Sequence, residues 1–310
     1  MKESIGFVGL GQMGQPMAFN LLQAGFELRM FDLRDERLAP LLAWGAHRVS
    51  SPGEVTEPGG IVLTMVPDDR ALLQVALGEG GILRRIGQEG IHLSLSTVSP
   101  EVAAQLAQVY EEQGSYYLAA TVLGRPEVAE AAQLSIFLSG HPDAKWRVLP
   151  LLQVLGTHIY DLGERVEIAN VVKLGYNFLI AAAIEAMGEA AALVEHFGAD
   201  RAQFLHMLVE SPLFTGAVYE GYGSMIGTRD YRDVRFPVPM GLKDVELVLQ
   251  AAEQVDVFLP YAEIVHEHLL AAQVGGRSHE DWSVLADFVT QDMTSDTVAV
   301  RAAQTGRTSR

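Results

Sequence analysis

The chain has 310 residues, 49% of them hydrophobic and 20% charged, with a formal net charge of −17, a length that fits one large or two ordinary domains. Twenty-two Lys and Arg against 39 Asp and Glu cannot build the clustered basic face that nucleic acids require, so no nucleic-acid partner is expected. Without cysteine there are no disulfides, thiolate metal sites or thiol nucleophiles, which fits a reducing cytoplasm.

The first apolar stretch, Ser4 to Val8, follows an acid at Glu3 and reads as a strand rather than as part of a signal peptide. It runs straight into Gly9-Leu10-Gly11-Gln12-Met13-Gly14. In a strand–turn–helix setting the first glycine permits the tight turn, the second lets the backbone approach a pyrophosphate, and the third lets the helix pack on the strand. A helix Pro16 to Gln23, a stop at Gly25 and a second strand Phe26 to Phe31 follow, ending in Asp32, 21 residues beyond Gly11. A carboxylate there can accept hydrogen bonds from ribose hydroxyls and repels a 2′-phosphate, so NAD is expected over NADP; Arg34 keeps NADP open.

Two further apolar runs stop at loops. Ile61 to Val66 ends at Pro67-Asp68-Asp69, and His92 to Ser96 ends at Thr97-Val98-Ser99-Pro100. Ligands of a doubly wound sheet bind outside the carboxyl ends of the strands, which makes Met65, Val66, Pro67, Ser96 and Thr97 cofactor-contact candidates by position. Thr97 has a competing reading as a helix cap before Pro100. Residues 1–163 thus read as an α/β Rossmann domain with a parallel sheet covered on both faces.

Residues 164–310 read as all-helical. An interdomain helix from about Glu164 to Phe197, roughly 50 Å long at 1.5 Å per residue, stops at Gly198, and Asp200 with Gln203 resembles a capping box for the next helix. Its surplus apolar surface suggests a subunit partner, while Glu185, Glu189, Glu195 and His196 make Phe178 to Phe197 too polar to span a membrane. The last fifteen residues, Asp296 to Arg310, read as a mobile tail.

On the long helix Lys173 and Asn177 are four residues apart and share a face among Ile168, Val171, Val172, Leu174 and Phe178. An ammonium in apolar surroundings needs a partner or a task. Near a carbonyl, Lys173 can give up a proton as hydride arrives, or take one from an alcohol, with Asn177 fixing substrate or lysine. The competing reading is a lysine snorkelling from a helix edge. Lys243 and Asp244 read as an active-site pair or as an exposed ion pair at a helix start. His279, Glu280 and Asp281 do not face one way and read as a solvated loop, so no metal is expected; Glu185 and Glu189 point away from Lys173.

The residues now assembled resemble the β-hydroxyacid dehydrogenase family, the group of 3-hydroxyisobutyrate and 6-phosphogluconate dehydrogenases. Gly6 to Leu21 is similar almost letter for letter to the family's cofactor signature, and Thr64-Met65-Val66-Pro67 and Ser96-Thr97-Val98-Ser99-Pro100 to its later cofactor loops. The resemblance covers almost the whole chain. It implies a Rossmann domain, a helical domain and a dimer or tetramer. Further, it implies catalytic and substrate-binding roles for Lys173 and Asn177 and a place beside the nicotinamide for Lys243. NADP-preferring members carry Asn-Arg-Thr where this chain has Asp32-Leu33-Arg34, which again implies NAD.

The substrate motif departs. Where members read Asp-x-Pro-Val-Ser-Gly-Gly, this chain reads Ala119 to Arg125, with Leu123 for the carboxylate-binding serine, then Gly124 and Arg125. Losing a hydroxyl donor weakens carboxylate binding by on the order of a kcal/mol, while Arg125 can hold a carboxylate or phosphate bidentately. Glu167 and Ala169 also stand where small residues and glycine are common. The expectation is an NAD(P)-dependent dehydrogenase for a small hydroxyacid or semialdehyde-like substrate in the interdomain cleft. Its rivals are an imine reductase and a non-catalytic dinucleotide-binding protein.

Overall fold

A computed structural model describes residues 4–290; the tail Asp296 to Arg310 lies outside the described residues. Eight strands form one sheet: β1 (Ser4–Val8), β2 (Glu27–Phe31), β3 (His47–Arg48), β4 (Ile61–Thr64), β5 (Ile91–Ser94), β6 (Tyr116–Leu123), β7 (Leu134–Ser139) and β8 (Gly156–Asp161), in the order β3-β2-β1-β4-β5-β6-β7-β8. The helices of this part are α1 (Gly14–Gln23), α2 (Ala39–Leu42), α3 (Asp69–Leu77), α4 (Leu83–Ile86), α5 (Pro100–Glu112), α6 (Pro126–Glu130) and α7 (Pro142–Leu155).

The period-two alternation of strands sorts the sheet's side chains between two apolar layers. Phe7, Leu63, Leu93 and Leu118 pack with Met17, Leu21, Val148 and Leu152 of α1 and α7. Their neighbours Val8, Val62, Tyr117 and Ala119 pack on the other face with Leu72, Val102 and Leu106 of α3 and α5. Register then sets the site. Val8 pairs with Phe31 and with Thr64, and Thr64 with Ser94, so the turns that begin at Gly9, Asp32, Met65 and Leu95 leave the sheet along one edge. That edge is where the strand order reverses about β1, the crevice that doubly wound sheets use for ligands.

The expected all-parallel sheet is corrected at its end, where β7 runs antiparallel to β6. Residues 124–133 are too few for the crossover of a dozen or more that a parallel return needs. The longer α7 connection makes β8 parallel to β7.

The chain divides into two compact units, the first ending at Gly175 and the second beginning at Tyr176, twelve residues beyond the boundary expected at 163/164. The reason lies in α8 (Glu167–His196), whose opening turns bond into the sheet: the Ser139 hydroxyl donates to Val166 O (2.6 Å) and accepts from Ala169 N–H (3.1 Å), and the Thr121 hydroxyl donates to Ala169 O (2.9 Å). The second unit comprises the rest of α8 with α9 (Arg201–Glu210), α10 (Ala217–Thr228), α11 (Val238–Glu253) and α12 (Pro260–Val274). Gly198 adopts φ +86° after α8, and Asp200 caps α9 by accepting from Gln203 N–H, both as the sequence suggests.

By length and composition alone α8 taken whole, Glu167–His196, is long and apolar enough to cross a bilayer. Its apolar face is instead core: Ala181, Ile184, Met187 and Ala191 pack with Leu205, Ile226, Val245 and Leu269. Glu185 is fully buried and meets His268 Nδ1 of α12 at 2.9 Å. Burial pulls the His268 pKa down, but the hydrogen bond and charge of Glu185, with Glu267 and Glu189 behind it, outweigh this and leave it above its ordinary 6.5. A folded-state pKa above the unfolded one gives stability that is complete below the unfolded value and lost as pH rises through the folded one. The thermal midpoint should therefore fall as pH rises from below 6.5 into the alkaline range, and fall less in Glu185→Gln, followed by circular dichroism. An identical pH dependence in both proteins would contradict the pairing.

Candidate active site

The glycine turn is built by exclusion. Gly9 has φ +92°, and a Cβ there would lie 2.3 Å from Met65 O. A Cβ on Gly14 would lie 2.0 Å from Gly9 O, so the helix can come this close to the turn only without one. Gly11 differs: the space its Cβ would fill is open, with Arg37 Nη1 at 3.8 Å its nearest neighbour. Met13, the N-cap of α1, provides no side-chain cap for the first-turn N–H groups. An open glycine beside uncapped helical N–H groups is what a dinucleotide's pyrophosphate fits.

Asp32 closes the turn from β2. Buried, it accepts from Leu10 N–H at Oδ2 (2.6 Å) and from Arg34 N–H at Oδ1 (2.8 Å), with Arg37 Nη1 3.6 Å from Oδ2. A carboxylate has about four acceptor positions, so two remain for ribose hydroxyls. Leu10 contributes only this N–H, because its side chain is in the core. Gln12 is exposed at the turn and Met13 half-buried. The cation beside Asp32 is Arg37 rather than the exposed Arg34 on which the sequence drew attention.

The two loops beside the turn are stitched together. Val66 N–H donates to Ser96 Oγ (2.8 Å) and Ser99 N–H to Asp69 Oδ1 (2.8 Å). Met65 and Val66 are half-buried and Pro67 exposed at this rim. Ser99, not Thr97, caps α5, accepting from Val102 N–H at 3.2 Å, so the competing reading of Thr97 as the cap falls.

α8 carries a polar stripe inside apolar surroundings: Asn170, Lys173 and Asn177 are 1%, 8% and 6% exposed. Lys173 is thus buried, and the snorkelling reading falls. Asn170 Nδ2 donates to Val98 O in the loop that carries Thr97 (3.2 Å), tying the turn before Lys173 to the cofactor edge. In the second unit Asn177 Nδ2 donates to Asp244 Oδ2 (2.5 Å), and Asp244 Oδ1 meets Lys243 Nζ at 2.8 Å. Asp244 is 2% exposed, so this is a buried carboxylate holding Asn177 and not the exposed ion pair that was the ordinary reading.

A model of the NAD-binding domain of 6-phosphogluconate dehydrogenase matches residues 4–163, and one described as the NAD-binding part of NADP-dependent 3-hydroxyisobutyrate dehydrogenase matches residues 168–289. The chain belongs to the β-hydroxyacid dehydrogenase family. Within that family it is 38% identical over 281 residues to an uncharacterized oxidoreductase, YfjR, of Bacillus subtilis, covering 91% of this chain and 98% of that one. It is 31% identical over 284 residues to 2-hydroxy-3-oxopropionate reductase of Escherichia coli, covering 91% and 95%. In fold it resembles the crystal structure of 3-hydroxyisobutyrate dehydrogenase from Salmonella typhimurium, with a TM-score of 0.81 and 24% identity over 93% of this chain and 100% of the other. As a β-hydroxyacid dehydrogenase it is an NAD(P)-dependent oxidoreductase acting on CH–OH groups.

Other residues fall away from the site. Asp281 is not in a solvated loop: fully buried, it accepts from Arg235 and Phe236 N–H and from the Ser283 hydroxyl, and Glu280 pairs with Arg277. Among the described residues no group of His, Asp and Glu could hold a metal. A cavity of about 220 Å³ at the opposite, N-terminal ends of β1 and β4 holds the Arg29–Glu57 ion pair, away from the glycine turn. Asn170 was missed, although the i, i+3, i+7 spacing with Lys173 and Asn177 marks it.

These glycines should separate by function. Gly9→Ala and Gly14→Ala should each cost at least about 2 kcal/mol of stability through strain and overlap. Gly11→Ala should leave the unfolding midpoint near native while weakening NADH binding about tenfold, the loss of roughly one charge-assisted hydrogen bond. Thermal melts with fluorescence titration check this; a Gly11 variant that binds NADH normally would contradict the cradle.

Proposed function

We propose that this protein interconverts a small alcohol and its aldehyde or ketone, of the size that hydroxyacids and semialdehydes have, with Lys173 as proton donor and acceptor. The observation that carries the reading is a lysine only 8% exposed, one turn beyond an asparagine bonded to the cofactor-edge loop. The first-turn N–H groups of α1 would hold the pyrophosphate, Asp32 the adenosine ribose, and Met65, Val66, Pro67 and Thr97 the edge towards the nicotinamide. Bound nicotinamide supplies or accepts the hydride. As the substrate carbon becomes tetrahedral its oxygen gains negative charge, and the Lys173 ammonium hands it a proton; in oxidation the neutral amine removes the hydroxyl proton. Asn177, its amide held by Asp244, orients substrate or lysine. A buried Lys173 also speaks for carbonyl over imine chemistry.

NAD preference is part of this proposal: Asp32 would face a 2′-phosphate, while Arg37 only partly offsets its charge. So is assembly as a cytoplasmic homodimer or homotetramer, in which Leu179, Leu193, Phe197, Leu213 and Val274, exposed on the helical unit, are candidates for coverage by a subunit partner.

Lys173→Ala should lower kcat for aldehyde reduction by about 10²–10⁴ with the NADH dissociation constant unchanged. Equal rates would overturn the assignment, and loss of aldehyde reduction with aldehyde-plus-amine turnover retained would favour imine chemistry. Native protein should use NADH better than NADPH in steady-state assays, and Asp32→Ser should narrow that ratio about tenfold, the effect of about 1.4 kcal/mol. A ratio that does not move would assign the discrimination elsewhere.

A further inference from the structure

The bonds between α8 and the sheet advance together, from Val166 to Ala169 along the helix as β6 advances from the level of Ala119 to Thr121, so helix and strand run in the same sense. Ser139, the register partner of Ala119, holds Val166 and Ala169, and Thr121 holds Ala169. Four residues of helix, about 6 Å, lead from Ala169 to Lys173, and two residues of strand, about 6.6 Å, lead from Thr121 to Leu123 on the same face. Leu123 and Lys173 therefore arrive at one level. Leu123 is half-buried, and it and Val172, the neighbour of Lys173, both pack against the apolar layer that includes Val98, Val166 and Ala169. Arg125 lies past the bend at Gly124, at the N-cap of α6, where its carbonyl accepts from Val128 and Ala129 N–H.

We propose that Leu123 is a specificity-determining wall beside the reacting carbon, and that the substrate is an aldehyde or ketone with an alkyl or aryl substituent there instead of a carboxylate. This rests on the dehydrogenase reading and narrows it. A carboxylate against an isobutyl group loses hydration on that side and gains no hydrogen bond from the side chain, whereas a methyl or phenyl group gains burial. The same contact makes Leu123 a place where one hydroxyl redirects choice, since a pocket that hydrogen-bonds a substrate group discriminates far more sharply than one that merely fits it.

The test compares two aldehydes of equal length, butanal and succinic semialdehyde, with NADH and the full chain. The native protein should favour butanal in kcat/KM by about tenfold or more, and Leu123→Ser should shrink or invert that ratio by a similar factor. A native preference for succinic semialdehyde overturns the proposal, and its disappearance in Arg125→Ala would put the acid on that guanidinium. If neither aldehyde is reduced, the dehydrogenase reading fails, and calorimetric binding of butyramide against succinamate to the NADH-loaded protein still decides the wall. Tighter butyramide supports it; tighter succinamate removes it.

Discussion

The arrangement depends on how the first turns of α8 are held. A helix start leaves backbone N–H groups without intrahelical partners, and here the Ser139 hydroxyl, from a strand 30 residues earlier, satisfies Ala169 N–H while bonding Val166 O. Thr121 adds a bond to Ala169 O from the neighbouring strand. All these groups are buried, so removing either hydroxyl leaves unpaired polar atoms in an apolar layer, at about 1–3 kcal/mol each. The seam fixes the height and rotation of the helix on the sheet, and with them the direction in which Lys173 projects.

The cofactor edge is held by the same kind of constraint. Met65 O fills the space a Gly9 side chain would need, Gly9 O fills that of Gly14, and Asp32 binds the turn to β2 through Leu10 N–H. Ser96 secures the neighbouring loop, and Asn170 ties the next one to α8. Lys173 and the glycine turn are thus parts of one hydrogen-bonded frame. Positioning groups on rigid elements is what lets a proton donor act in step with a hydride without reorganising at the moment of reaction.

Much of this could be read from the residues. The spacing Gly9-Gly11-Gly14 with Asp32 depends on local backbone geometry, which a sequence carries directly, and the helix end at Gly198 and the cap at Asp200 are equally local. The burial of Lys173 follows from its apolar neighbours. What could not be read depends on pairing between distant segments: Ser139 against Val166, Asn170 against Val98, Asn177 against Asp244. Nothing in the local pattern near Asp281 distinguishes a staple accepting from Arg235 and Phe236 from a solvated loop. The antiparallel β7 was legible in principle from the short link after β6, but the alternation of strands and helices reads more loudly than loop length.

In the function proposed above, a buried amine on a pinned helix transfers the proton that accompanies hydride transfer. The most direct test is single-turnover oxidation of enzyme-bound NADH by an aldehyde, in light and heavy water, for the native chain and Lys173→Met. The native protein should show a normal solvent isotope effect, and the variant should be slower by about 10²–10⁴ and lose the isotope effect that belonged to the amine. The same rate and the same isotope effect in both proteins would show that the proton comes from elsewhere.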